Sequence, residues 1–481
     1  MYNNVMMQGF EWYLPDEGNY YKKLKERAQE LKESGIDAIW LPPMFKATGT
    51  NDGGYGAYDL YDLGEFDQKG SVRTKYGTLE ELREVIDELH KHDIKVYADV
   101  VLNHKAGGDY SEVFRAVQVD ENDRNKEISD VHNIEAWTGF DFPGRNGKYS
   151  EFKWNFQHFS GVDFDQKSGT NGIFKIVGED KDWNDGVSEE KGNFDYLMFA
   201  DVDLDNEDVR QELFRWSEWF INHVNIDGMR FDALKHISDI FLTDFILNLE
   251  AKADRELYFF GEFWMNDKFT NDKYLYETKY HTDLFDVVLH FNMHQASLDG
   301  QNFDMRTIFD NTIVKEHPHL AVTFVDNHDS QPKQSLESFV EPWFTKIGYG
   351  LILLRRDGYP CVFYGDYYEI KDPYIPGHKD IIDNLLYIRK NYAFGEQTDY
   401  FNEPQLIGWV RHGDDEHPGS LAVVISTGDM NSLVMNVGKD QAGKIYVDLT
   451  GENPNEITID KDGNGKFEVG PGTLCAWAEK I

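Results

Sequence analysis

The stretch EDVRQELFRWSEWFINHVNIDGMRFDALKH, residues 207–236, decides how the chain is read. Up to Val224 it has helical periodicity; after that comes a short apolar run that ends in charge. Within GMRFDALKH, Arg230 stands two residues before Asp232, and Lys235 and His236 follow. Buried charges are costly unless paired. Strand side chains alternate between faces, so Arg230 and Asp232 share one face while Met229 and Phe231 point towards the helices. The charged pair is either a structural ion pair or the carrier of chemistry. A strand that follows a helix and ends in ionisable groups is also the repeating unit of a parallel barrel.

The unit recurs along the chain. YYKKLKERAQELKESG leads into IDAIWLPP. TLEELREVIDELHKHD, opened by a capping box of Thr78 and Glu81, leads into IKVYADVVLNH. ISDIFLTDFILNLEAKA leads into ELYFFGEFW, MRTIFDNTIVKEH into LAVTFVDNHD, and VEPWFTKIGYGLILLRR into YPCVFYGD. With VMMQGF near the start and FDVVLHF at residues 285–291, eight strands are predicted. Eight strands with intervening helices predict an α/β fold, a (β/α)8 TIM barrel, with a doubly wound open sheet as the alternative.

Two regions break the rhythm. Residues 105–207 are rich in Asp, Gly and aromatics and predict an irregular insert after strand 3. From residue 396, short runs such as SLAVVIST and KIYVDL predict a C-terminal all-β domain. The expected units are therefore 1–104 and 208–395 for the barrel, 105–207 for the insert, and 396–481 for the β domain.

Composition narrows the function. The chain has 481 residues, 40% apolar and 15% aromatic, and a formal net charge of −39. That composition can bury a core and is unlike a disordered chain. Its charge disfavours nucleic acid and anionic membranes, which need basic patches. The two cysteines, Cys361 and Cys475, imply no disulfide framework. MYNNVMMQGFEWYLP lacks the features of a secretory signal, and IGYGLILL is too short to span a membrane. The expectation is a soluble protein, cytoplasmic or a secreted mature form.

Four predicted strands end in ionisable groups: DVVLNH, MRFDALKH, FGEFW and FVDNHDSQP. One such ending suits a structural ion pair, but four converging on the C-terminal rim of a barrel indicate a site. Arg230 is expected to hold Asp232 ionised, which suits a nucleophile. Glu262 is flanked by Phe259, Phe260, Phe263 and Trp264, an apolar setting that favours the protonated form and a general acid. Two carboxyls in opposite states are what glycoside hydrolysis requires. Asp329, beside His328, adds a third carboxylate able to stabilise an oxocarbenium-like charge.

These four segments, in this order, resemble the signature segments of the α-amylase family of glycoside hydrolases (family 13). MQGFEWYLP, GYGAYDLYDLGEF, FDYLMFADVDLDNEDVR and GYPCVFYGD resemble its bacterial liquefying group. The resemblance spans residues 1–392 and weakens in the C-terminal domain. It implies retaining endo-hydrolysis of α-1,4-glucan, with Asp232 as nucleophile, Glu262 as acid/base and Asp329 as transition-state stabiliser. It implies that Arg230 orients Asp232 and that His104 and His328 hydrogen-bond the sugar on which Tyr55 stacks. It places Lys235, His236 and Trp264 on the leaving-group side.

The resemblance also implies calcium, held by Asn103, Asp195, Asp201 and the backbone carbonyl of His236, all oxygen donors. Many liquefying relatives hold further metal ions through aspartates at positions that are Ser160 and Asn184 here, so a single calcium site is predicted. An α-glucan is the expected partner and a monomer the expected state. The alternatives are a relative acting on short maltodextrins or α-1,6 bonds, a non-catalytic glucan-binding protein, and a metal-dependent hydrolase. Three motifs are read as decoys. DKDGNGKFE begins like a calcium-binding loop but has Pro471 at its twelfth position. GYGAYD lacks the third glycine of a dinucleotide loop. HFNMH, residues 290–294, has helical zinc spacing without an adjacent Glu and is read as rim or core lining at a strand end.

Overall fold

The computed structural model describes residues 3–480; Met1, Tyr2 and Ile481, in the first and last expected units, lie outside the described residues. Eight parallel strands close a barrel: β1 Met6–Gln8, β2 Ala38–Leu41, β3 Lys95–Val100, β4 Gly228–Phe231, β5 Tyr258–Gly261, β6 Asp283–Phe285, β7 Ala321–Phe324 and β8 Tyr359–Phe363. Each pairs with its neighbour in chain order, and β8 closes on β1. The (β/α)8 architecture is thus the one expected, and the open sheet is excluded.

The helices that bear on the site are α1 Tyr20–Ser34, α2 Leu79–Lys91, α3 Glu207–Val224, α4 Asp239–Lys252, α5 Lys268–Glu277, α6 Val287–Asp299, α7 Ile313–Glu316 and α8 Thr345–Leu353. Helix α3 starts where Asn206 accepts from the backbone N–H of Asp208 and Val209, and it stops at Asn225 in the left-handed conformation. Its buried stripe is Val209, Leu213, Trp216, Phe220 and Val224. Each such apolar side chain contributes roughly 1.5–3 kcal/mol by leaving water. The chain then enters β4 past Asp227, whose carboxylate accepts from Val96 N at 2.8 Å and faces His90 Nε2 at 2.7 Å. This fixes β4 beside β3. The capping box of α2 is present, Glu81 N to Thr78 Oγ1 at 3.4 Å and Thr78 N to Glu81 Oε2 at 3.0 Å.

Three local expectations change. The sixth strand is Asp283–Phe285, and most of the run FDVVLHF lies in α6. A continuous apolar run has no period to separate strand from helix. Asp286 decides it: its Oδ1 caps Leu289 N at 3.1 Å and its Oδ2 takes Val314 N at 2.7 Å. His290 and His294 therefore sit on a helix rather than a strand end, and both are satisfied as structural groups. His290 Nε2 lies 2.8 Å from Ser338 Oγ, and His294 Nδ1 lies 2.9 Å from Phe339 O.

Second, the insert is ordered. It forms a six-stranded sheet in the order His104–Lys105, Ala200–Val202, Phe159–Asp165, Thr170–Ile176, Tyr110–Val119, His132–Gly139. Its β-bulges, between Asn171 and Phe174 and between Tyr110 and Glu112, break the strict alternation that would have marked the strands. Third, α5 forms where the sequence reading places no helix. Asp267 caps it, and its buried residues are Asn271, Tyr274 and Leu275, so it has no apolar stripe to read.

The C-terminal β domain has a six-stranded sheet and a two-stranded ribbon. Asp460 of the calcium-loop decoy accepts from the backbone N–H of Asp462 and Asn464 and turns the chain into strand Asn464–Val469. Both cysteines are buried free thiols. No helix among the described residues is long and apolar enough to cross a membrane.

Candidate active site

The C-terminal ends of β1, β3, β4, β5 and β7 surround one cavity of about 380 Å³. Its walls include Tyr55, His104, Asp232, Lys235, His236, Glu262, Trp264 and Asp329. Seven sequence-predicted contacts and carboxyls therefore share one space with Tyr55. Arg230 and His328 lie directly behind it, fully buried.

Local structure explains the placement. Arg230 pairs in register with Asp99 of β3 and Phe260 of β5, so those three occupy one level of the barrel. Phe231 faces outward and packs on Phe245 of α4, as strand alternation requires. Beyond Asp232 the chain turns at Ala233, which holds a left-handed φ of 52°. That conformation is strained for a residue with a Cβ and recurs at functional sites. It folds Leu234 under Glu262, with Leu234 N donating to Glu262 O at 2.8 Å. Gly261 permits this: a Cβ there would lie 2.3 Å from Leu234 Cδ1.

Arg230 is the electrostatic hub. Its Nη1 donates to Asp232 Oδ1 at 2.7 Å and to Asp99 Oδ1 at 2.9 Å, and its Nη2 pairs with Glu262 Oε2. One guanidinium thus holds both carboxyls that the sequence assigns opposite roles. Burial raises Glu262 to about 8 against the pull of Arg230, and Asp329, Asp232 and Asp99 push it further in the same direction. Phe259 and Phe263 turn outward, onto Phe231 and Tyr274. Asp329 is raised to about 7, again by burial first and then by Asp232 and Asp99 despite Arg230. Such coupled carboxyls titrate as a group.

Sequence reasoning missed several residues here, among them Trp12 of the cavity wall and the buried Asp99 and Gln8. Asp99 is fully buried and raised to about 6 by burial. It accepts from Trp40 Nε1 at 3.0 Å and from the Tyr55 hydroxyl at 2.9 Å, so it orients Tyr55 as well as Arg230. It opens the quoted run DVVLNH, but an acid inside a strand is not recognisable as a site member until its partner is known. Gln8, at the end of β1, sits 3.0 Å from His328 Nδ1, and His328 Nε2 faces Asp329 Oδ2 at 3.2 Å. Burial and Arg230 hold His328 well below its usual pKa, so the imidazole is neutral.

The floor and flank of the cavity suit a pyranose. Trp12, Tyr55 and His328 lie nearly parallel, with Tyr55 5.7 Å from Trp12 and 5.3 Å from His328. His104 Nε2 lies 2.8 Å from Tyr55 O, and burial lowers its pKa. Lys235 Nζ is 2.5 Å from Glu190 Oε2 of the insert. His236 Nδ1 lies 2.6 Å from Phe194 O and its ring 4.3 Å from that of Phe194, a second tie to the insert.

Of the four residues implied for calcium, Asn103, Asp195 and Asp201 meet at the barrel–insert junction, and His236 contacts Phe194, next to Asp195 in the chain. Asp195 and Asp201 are fully buried; burial raises Asp195 to about 7, and burial together with the neighbouring Asp195 raises Asp201 well above the usual carboxylate range. Their partners are neutral. Asn184 Nδ2 donates to both Asp195 oxygens at 2.7 and 2.9 Å, Ser160 Oγ to Asp201 Oδ2 at 2.5 Å, and Asn103 Nδ2 to Asp201 Oδ1 at 3.3 Å. Two buried carboxylates and a neighbouring carboxamide are a donor set that fits a hard cation. Among the described residues, no three His, Cys, Asp or Glu side chains are grouped to hold a metal, so the remaining ligands would be amide and backbone oxygens.

The family model for the α-amylase catalytic domain matches residues 21–401. The chain is 48% identical to the glucan 1,4-α-maltohexaosidase of Bacillus sp. (strain 707), over 99% of this chain and 93% of that relative. It is 39% identical to the cytoplasmic α-amylase of Escherichia coli (strain K12), over 99% of each. The fold also matches the crystal structure of α-amylase from Geobacillus thermoleovorans complexed with acarbose. There the TM-score is 0.66 at 18% identity, covering 100% of this chain and 98% of that one. With four strand ends meeting around Arg230 and a match of this extent, the chain belongs to the α-amylase family.

Proposed function

We infer that this chain is an endo-acting α-amylase that hydrolyses α-1,4-glucosidic bonds in starch, glycogen or maltodextrins with retention of configuration. The carrying observation is the single guanidinium of Arg230 between Asp232 and Glu262, with burial keeping Glu262 protonated near neutral pH. Retention needs the two carboxyls roughly 5–5.5 Å apart, too close for a water between them. Sharing one guanidinium supports that spacing.

In the first step Glu262 gives its proton to the glycosidic oxygen as the bond to the anomeric carbon breaks. Asp232 attacks that carbon from the opposite face, and a glycosyl ester forms. Asp329 faces the developing positive charge and the sugar hydroxyls. In the second step Glu262, now a carboxylate, takes a proton from water. The water oxygen displaces Asp232, and the starting protonation states return. Tyr55 stacks on the sugar in the cleaved subsite, His104 and His328 hydrogen-bond it, and Lys235, His236 and Trp264 contact the leaving side.

A time course on soluble starch tests this reading. Long oligosaccharides should appear early, and the new reducing ends should be the α-anomer by proton NMR. Initial β-anomer would exclude retention, and glucose or maltose alone would exclude endo attack.

Calcium belongs to the proposal. Asn103, Asp195, Asp201 and the His236 carbonyl would hold one ion, which would neutralise the buried carboxylates and clamp the insert beside the cleft. Ser160 and Asn184 already meet Asp201 and Asp195 with neutral donors, which supports one ion rather than a cluster. Native mass spectrometry should find one calcium per chain, and chelation should lower Tm by several degrees. Two or more tightly held ions would contradict the single site.

The reading extends to a monomer in the cytoplasm. Two buried free thiols suit a reducing compartment, and the Escherichia coli relative is named a cytoplasmic α-amylase.

A further inference from the structure

The catalytic cavity does not end at Lys235. The ion pair of Lys235 with Glu190 joins it to a neighbouring cavity of about 180 Å³, whose walls include Glu190, Phe263, Met265 and Phe269. On the other side of Phe269 lies a third cavity, of about 410 Å³, lined by Asn266, Asp272, Asn292 and Asn311 among others. Phe269 therefore forms the ridge between the two outer cavities.

That ridge is unusual. Phe269 is 77% exposed, and no large apolar side chain among the described residues is more so. It stands in the first turn of α5, whose packing rests on Asn271, Tyr274 and Leu275 instead. Nothing in the folding of α5 requires an aromatic there. The surroundings are those of a sugar rather than an apolar ligand. On one side, Asn266 and Asn311 line the same cavity as the ring. On the other, Glu189 is paired with Lys273 at 2.7 Å. An apolar platform edged by a few polar groups is how carbohydrate-sized ligands are held. The position is also directional: through Lys235 and Glu190 the cavity that Phe269 lines joins the side of the cleft that the proposed reading gives to the leaving group.

We propose that Phe269 is a remote leaving-side subsite for α-glucan, on which a glucose unit beyond Lys235 and Glu190 stacks. This rests on the glucan reading above. It makes Phe269 a determinant of preference for long chains and of product length, with no part in bond cleavage.

The test compares wild type with Phe269→Ala and Phe269→Trp on two substrates. One is long-chain amylose, which can fill the leaving side. The other is a blocked 4-nitrophenyl maltoheptaoside, whose leaving side is too short to reach Phe269. Phe269→Ala should lower kcat/KM on amylose roughly three- to tenfold, the scale of one aromatic stacking contact. It should leave the nitrophenyl substrate unchanged and shift early products towards shorter chains. Phe269→Trp should keep the wild-type preference. Equal loss on both substrates, or no change on amylose, would overturn the subsite while leaving the glucan reading intact. Failure of wild type to cleave amylose would overturn both. A change in sedimentation mass on Phe269→Ala would assign the ring to a protein contact instead and overturn the proposal.

Discussion

Asp232→Asn should lower kcat on soluble starch by at least about a thousandfold and leave the fold in place. The substitution replaces the nucleophilic carboxylate with a carboxamide, and removal of a nucleophile leaves only what binding and electrostatics supply. Arg230 does not become an orphan, because Asp99 and Glu262 still accept from it. That is why the circular dichroism spectrum and Tm should stay close to wild type even though the residue lies beside a buried cation. The carboxamide also removes one of the carboxylates that push Glu262 up. Any residual activity should therefore show its alkaline limb at lower pH than wild type. A variant that kept most of its turnover would remove Asp232 from the role of nucleophile.

Glu262→Gln should lower kcat by roughly a hundred- to ten-thousandfold, the range for loss of a general acid–base group. The loss should depend on the leaving group. An α-maltosyl fluoride needs little protonation to depart, so its first step should survive far better than that of starch. The pH profile carries a second signature. With Glu262 raised to about 8, the acid is present at neutral pH and disappears as pH rises through that value. Wild-type kcat/KM should therefore fall on the alkaline side, with the limb near pH 8, and Glu262→Gln should flatten it. The same shift bears on stability. Its folded pKa lies above the ordinary value of 4.5, so the proton is bound more tightly in the folded state. The contribution is full below about pH 4.5 and is lost as the pH rises through about 8. Asp329 and Asp99 titrate in the same cluster, at about 7 and about 6, so the observed values belong to the group. An alkaline limb that is unaltered in Glu262→Gln would assign it to another residue.

Much of this was legible from local pattern. The helix stripe before β4, the capping box at Thr78 and the polar ends of four strands are each set by neighbours within a few residues, so periodicity exposes them. Their convergence follows from the barrel, which brings all C-terminal strand ends to one face. Other features were not legible for equally physical reasons. FDVVLHF reads as strand or helix until Asp286 is seen to cap it. The insert sheet is hidden by bulges, and α5 has no apolar stripe.

The sequence by itself determined the order of strands and helices, the rim on which the chemistry sits, and the pairing of Arg230 with Asp232, because each depends on spacing along the chain. Only the tertiary structure decided how the charges are shared. Asp99 and Glu262 come from strands on either side of β4, and their meeting on one guanidinium depends on register across the barrel. The protonation of Glu262 comes first from burial and then from carboxylates distant in sequence, which work against Arg230. Electrostatic energy falls with distance through space and grows as water is excluded, and neither quantity is written in the order of residues.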